Sequence, residues 1–188
     1  MRARFERTKN PRHSAARLRL HRVWRLTDTT GQEVWDKVRE RLRHTRRLWH
    51  GTLTHNVLSI LHRGLFVPPT SGSTVNITGR MFGDGIYFSD QSTKALNYSH
   101  GTWSRTGERT YRCFMFAAHV VMGRELRTTA GDDRGDVLHR MFGPASTSVR
   151  TYNSLVVQAG TCGVINNEMI VPSTDQILLR YLCEFRSD

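Results

Sequence analysis

An α+β fold is the architecture this sequence predicts, and three observations carry it. Helix-period apolar patterns are concentrated in the first half of the chain. The second half holds one long apolar run, residues 111–122, and three shorter runs rich in β-branched and aromatic residues. The 188 residues, 38% of them hydrophobic, suit a single domain with a sizeable core. The expected arrangement is two packed, mainly antiparallel sheets with flanking helices.

The elements follow in order. Residues 1–20 are basic and polar, with Pro11 as a breaker, and give no regular pattern. They are set apart as a basic, flexible segment, with one domain over 21–188. Residues 22–27 read as a short strand, and Asp28 to Gly31 as a turn. Val34, Val38 and Leu42 recur at helical spacing and predict a helix over 32–44 with a basic outer face. Leu48 to His50 ends a strand. Val57, Ile60 and Leu61 line a helix over 54–63, and Gly64 follows it as a stop. Pro68 to about residue 79 is a loop. Gly83 and Gly85 flank a turn into the strand 86–88, and Ser89 or Asp90 caps a helix over 91–100. Residues 111–122 form a central strand. Residues 123–151 are irregular apart from a short helix near 136–142. Strands at 155–157, 168–171 and 177–185 complete the chain. There is no internal repeat and no low-complexity tract.

Composition excludes several classes. No apolar stretch is long enough for a transmembrane helix. No basic segment with an apolar core opens the chain as a secretory signal would. Three widely spaced cysteines, Cys113, Cys162 and Cys183, support neither a disulfide scaffold nor a structural zinc site. An intracellular, cytoplasmic or nuclear setting is expected, with mitochondrial targeting the lesser reading.

The formal net charge is +12, and it is uneven. Residues 1–47 hold 15 basic and 5 acidic side chains, whereas residues 48–188 hold 13 and 11. Three readings stay open for the N-terminal excess: contact with DNA, RNA or another polyanion, a solvated face, or a targeting segment.

Three segments carry candidate chemistry. In Leu48-Trp49-His50-Gly51-Thr52, an imidazole stands beside a glycine whose backbone a ligand can approach closely. In Met81 to Asp90, Tyr87 ends a strand, and the following helix brings Lys94 and Tyr98 to one face at i, i+4. Two tyrosines so placed can sandwich a flat heteroaromatic ring. In Asn166 to Val171, Glu168 is a lone carboxylate at the head of an apolar strand.

Each segment alone is weak evidence. Their order and wording together resemble the catalytic domain of the poly(ADP-ribose) polymerase family over about residues 46–185. The matching stretches are 48–52, the helix from Asn56 to Gly64, 81–88, Lys94 with Asn97 and Tyr98, and 167–171. The family's His-Tyr-Glu signature falls on His50, Tyr87 and Glu168. The resemblance implies an ADP-ribosyltransferase fold, with NAD+ as substrate and no metal. It implies that the Gly51 backbone binds the nicotinamide carboxamide, that Tyr87 and Tyr98 stack on its ring, and that His50 holds the adenosine ribose. It places Thr52 and Asn56 near the adenine half, and Ser89 and Lys94 among the NAD+ contacts. Glu168 would hold a hydroxyl of the nicotinamide ribose.

The sequence also departs from the pattern. Ala95 stands where most members have a serine that bonds the nicotinamide amide, a contact of roughly 0.5–1.5 kcal/mol. Val171-Pro172 replaces a tyrosine common after that strand. The segment before the match is too short for the helical regulatory domain of DNA-damage-responsive members, so direct autoinhibition by it is not expected. The resemblance implies transfer of ADP-ribose to a protein or nucleic-acid acceptor, with oligomer or polymer formation permitted by the glutamate. The alternatives are an RNA 2′-phosphotransferase-like enzyme, an NAD+ glycohydrolase and an inactive nucleic-acid-binding module.

Overall fold

The computed structural model describes residues 1–67, 81–99, 112–142 and 151–187. The loop expected at 68–79 lies outside the described residues, as do the ends of two expected elements, Tyr111 and His100. Among the described residues no helix is long and apolar enough to cross a membrane.

Two four-stranded sheets form the frame. The first comprises β1 (Arg19–Arg25), β2 (Thr45–Gly51), β4 (Cys113–Val121) and β8 (Ile177–Arg186), in the order β1-β8-β4-β2 and antiparallel throughout. The second comprises β3 (Ile86–Phe88), β5 (Glu125–Arg127), β6 (Ser154–Val157) and β7 (Glu168–Val171), in the order β3-β7-β6-β5. Its β5–β6 pair is parallel and the others antiparallel. The fold is α+β with two mainly antiparallel sheets, as the sequence predicts.

β4 explains the longest apolar run. Phe116, Ala118 and Val120 point into the core between the sheets, beside Phe88, Val156 and Met169. Met115 and Ala117 point the other way, into a second core with Trp49, Cys183 and Phe185. A strand covered on both faces has no polar side to show. Cys113 and Cys183 are free thiols in that second core, and burial pushes both up to about 12.

The helices clothe the sheets, and several differ from expectation. α1 (Arg2–Arg7) and a 3-10 turn at Ser14–Arg17 occupy a stretch in which the sequence shows no element. Phe5 is the reason: it is fully buried against Phe185, with centroids 4.7 Å apart. Asp28 begins α2 (Thr29–Leu42) as its N-cap, accepting from the Gly31 amide at 2.8 Å, so the expected turn is the helix's first turn. α2 buries Trp35 and Val38, while Val34 is 40% exposed, so the apolar stripe is rotated from the expected one. α3 (Val57–Arg63) follows a 3-10 turn at Thr54–Asn56. α4 spans only Ser92–Leu96, ending earlier than expected. Its N-cap is Gln91, with no side-chain cap bond, so neither Ser89 nor Asp90 caps it. α5 (Arg134–Phe142) lies where a short helix is expected, and β5 is an addition.

Candidate active site

The sheets join at the site. The Trp49 amide donates to the Ser89 carbonyl and the Ser89 amide to the Trp49 carbonyl, each at 2.9 Å. This bridge ties the end of β2 to the end of β3, so His50 and Tyr87 become neighbours. β7 lies beside β3, with Met169 opposite Phe88, which carries Glu168 to the same end. α4 packs over β2 and supplies Lys94. A cavity of about 350 Å³ opens there. His50, Gly51, Tyr87, Ser89, Lys94, Tyr98 and Glu168 all line it. Trp49, Phe82, Ala95 and the segment Gly163–Asn166 complete much of the wall.

Thr52 and Asn56 do not line this cavity. The chain leaves β2 at Gly51 and enters the turn at Thr54–Asn56, which takes both off the wall. Thr52 is buried, and its amide donates to the Ser99 hydroxyl at 3.3 Å.

His50 places its Nδ1 2.9 Å from the Tyr87 carbonyl oxygen. A carbonyl only accepts, so Nδ1 carries the proton and Nε2 is left as an acceptor. Burial holds the imidazole below its ordinary range, against the smaller opposing effect of the carbonyl bond. At neutral pH the ring is therefore uncharged. Tyr87 is fixed at its far end: its hydroxyl donates to the Gly83 carbonyl at 2.9 Å and accepts from the Phe82 amide at 3.0 Å. The ring is thereby anchored at both ends, at its backbone and at its hydroxyl, on the wall.

Lys94 forms an ion pair with Glu168. Burial pushes the glutamate above the usual carboxylate range, and Lys94 partly opposes the rise. Burial pushes the lysine below its own usual range, with Glu168 and Asp90 opposing. Tyr98 is raised by burial and then by Glu168. The pair thus places a hydrogen-bonding carboxylate, held by one ammonium, in a wall that is otherwise largely apolar.

One residue behind the wall, Asn167, has no role in the sequence reading. Asn167 donates from Nδ2 to Asp90 at 2.8 Å and accepts at Oδ1 from the Ala159 amide at 2.9 Å. Its carbonyl also accepts from Lys94 at 2.8 Å. Two of its three partners, Lys94 and Asp90, lie 73 and 77 positions away, so local sequence does not reveal this brace.

Gly51 has a packing reason beyond ligand approach. A Cβ there would fall on the Ala95 carbonyl oxygen, 2.7 Å from its carbon. Only a glycine lets α4 sit this close to β2.

The arrangement suits a flat aromatic ring joined to a sugar. The apolar wall and two tyrosines offer faces on which such a ring can stack. The acceptor Nε2 and the carboxylate can accept from sugar hydroxyls. Among the described residues no group of three His, Cys, Asp or Glu could hold a metal ion.

Comparison with known proteins agrees with this geometry. A family model described as the poly(ADP-ribose) polymerase catalytic domain matches residues 1–187. Poly(ADP-ribose) polymerase 1 of Gallus gallus is 28% identical over 93% of the chain, which spans 18% of that protein. Poly(ADP-ribose) polymerase 2 of Homo sapiens is 29% identical over 93% of the chain, which spans 32% of that protein. The chain thus spans less than a third of these relatives' length. The putative poly(ADP-ribose) polymerase-like protein 100L of Invertebrate iridescent virus 6 is 31% identical over 73% of the chain and 69% of its own length. With a match from end to end, and with its His, Tyr and Glu gathered on one cavity, the chain belongs to the poly(ADP-ribose) polymerase catalytic-domain family.

Proposed function

We propose that this protein cleaves the nicotinamide–ribose bond of NAD+ and transfers ADP-ribose to a macromolecular acceptor. The observation that carries the reading is the Lys94–Glu168 pair in the wall shared with Tyr87, Tyr98 and His50.

The nicotinamide ring lies against Tyr87 and Tyr98, with its carboxamide at the Gly51 backbone. The His50 Nε2 accepts from a hydroxyl of the adenosine ribose. Glu168 accepts from a hydroxyl of the nicotinamide ribose. As the C1′–N bond breaks, its electron pair leaves with nicotinamide and positive charge develops on the sugar. A nearby carboxylate in a low-dielectric wall stabilises that charge, and its bond to the hydroxyl strengthens in the transition state. The acceptor oxygen then bonds C1′, and Glu168 takes its proton. Lys94 keeps the carboxylate ionised and aimed. The same carboxylate suits attack by a ribose hydroxyl of ADP-ribose already transferred, which supports oligomer formation.

The test is incubation with labelled NAD+, with protein, DNA and RNA supplied as acceptors, beside Glu168→Gln. Label on an acceptor, reduced about 10²–10³-fold in the variant, is the expected result. A ladder marks oligomers and a single shift marks one addition. Free ADP-ribose as the only product would assign a hydrolase. No nicotinamide release would overturn the reading.

A further inference from the structure

The outer face of the first sheet, away from the core between the sheets, is covered at two places only among the described residues. α1, the Ser14–Arg17 turn and α4 together cover one end, over Leu20, Trp49, Met115, Cys183 and Phe185. α2 covers the other, over Val121 and Leu178. A strip of sheet lies between them, and its side chains can be read from the register. Arg47 pairs with His119, and Ala117 with Tyr181, which pairs in turn with Arg25. Directly paired residues share a face. Trp49 and Ala117 belong to the outer core, so Arg25, Tyr181, His119 and Arg47 all face outward with them.

The strip is strongly basic. His119 is held below its ordinary range by burial and then by three guanidinium groups, Arg180, Arg47 and Arg4. Those groups come from β8, β2 and α1, so they converge from three elements. Arg4 donates to the Arg47 carbonyl and lies over the Trp49 ring. Arg180 donates to the Gln32 side chain of α2 at 3.1 Å. Among the described residues none of Arg4, Arg25, Arg47 or Arg180 has a carboxylate partner. The acid on the bordering edge of α2, Asp36, is already engaged by Arg39 at 3.0 Å and Gln32 at 2.9 Å. Four guanidinium groups are thus left for an anion.

Shape narrows the partner. From Ala117 to His119 the strip is two residues wide along β4, about 7 Å. From β2 to β1 it runs three strand spacings, about 14 Å. That is a track for one sugar–phosphate chain and too narrow to seat a duplex. The half-buried Tyr181 ring in its floor offers a surface for base stacking. We propose that this strip binds single-stranded nucleic acid along β1, β8, β4 and β2. None of Arg4, Arg25, Arg47, Arg180 or Tyr181 lines the cavity, and the proposal stands independently of the transferase reading.

The test is fluorescence anisotropy of labelled single strands of about 12 nucleotides against the matching duplex, without NAD+. The single strand should bind more tightly than the duplex. Arg25→Ala/Arg47→Ala, both exposed positions, should weaken it about tenfold and lower the log–log salt slope by about 1.4. Arg12→Ala/Arg41→Ala, exposed arginines off the strip, should leave it unchanged. Preference for duplex, equal loss in both double variants, or equal competition by polyphosphate, which has no base to stack, would each overturn the proposal.

Discussion

The Nζ of Lys94 donates to the carbonyl oxygen of Asn167 at 2.8 Å. The same ammonium pairs with Glu168, so it holds two consecutive residues at the head of β7. Asn167 is itself anchored to Asp90 and to the Ala159 amide. The carboxylate therefore stands on a braced peptide rather than on a free strand end.

The pair sets a pH profile. Glu168 acts ionised and sits above the usual carboxylate range, so the acid limb of kcat/KM should lie above the ordinary glutamate value. Lys94 acts charged and sits below its usual range, so the alkaline limb should lie below the ordinary lysine value. Lys94→Met removes the cation that lowers the glutamate, leaving burial alone. Its acid limb should move to higher pH, and the alkaline limb belonging to Lys94 should vanish. A pH series of nicotinamide release checks this; an unmoved acid limb would show that Lys94 does not tune Glu168.

Gly51→Ala should damage the site more than one methyl group suggests. The new Cβ meets backbone, the Ala95 carbonyl, and backbone cannot swing aside. The helix carrying Lys94 must shift. Stability should fall by about 1–3 kcal/mol in urea titration, and nicotinamide affinity should fall at least tenfold. Retained affinity would refute the tight β2–α4 contact.

The residues that line the candidate site could be picked out in the sequence because they sit in short local phrases at or just after strand ends. The central strand was legible because its apolar run is long and covered on both faces. Other features depend on distant partners. Phe5 is one aromatic residue among arginines, and its burial comes from Phe185 at the far end of the chain. α4 has five residues, too few for a helix to announce itself without tertiary support. β5 has three residues and pairs in parallel with β6. The basic strip needs the sheet order, because Arg25, Arg47 and Arg180 meet only through β1-β8-β4-β2.

Ala95 brings no hydroxyl to the cavity wall, whereas Ser89 brings one. The Ser89 Oγ accepts from the Gln91 amide at 3.0 Å, which leaves its own proton for a ligand. Ser89→Ala should raise the nicotinamide dissociation constant by about 2–10-fold, the worth of one hydrogen bond. Ala95→Ser should lower it by a similar factor. Calorimetric titration with nicotinamide reads both; no change in Ser89→Ala would remove that residue from the binding set.

Phe5→Ala should be costly for stability and for the site together. The ring is fully buried, 4.7 Å from Phe185 and 6.4 Å from Trp49. Its removal should cost about 3 kcal/mol, as for other buried aromatic truncations. The segment around it also buttresses the cavity. The Trp49 indole donates to the Thr8 hydroxyl at 3.1 Å, and the Ser92 hydroxyl donates to the Phe5 carbonyl at 3.0 Å. The Asn10 amide donates to the Thr93 hydroxyl at 2.9 Å. Trp49 precedes His50, and Ser92 and Thr93 lead into Lys94. A loosened α1 should therefore raise KM for NAD+ even where the variant stays folded. Urea titration gives the first effect, and steady-state kinetics well below the unfolding midpoint give the second. A variant as stable as the parent would mean that α1 does not belong to the packed body of the domain. A variant destabilised with unchanged KM would confine its role to the outer core and remove the N-terminal segment from support of the cavity.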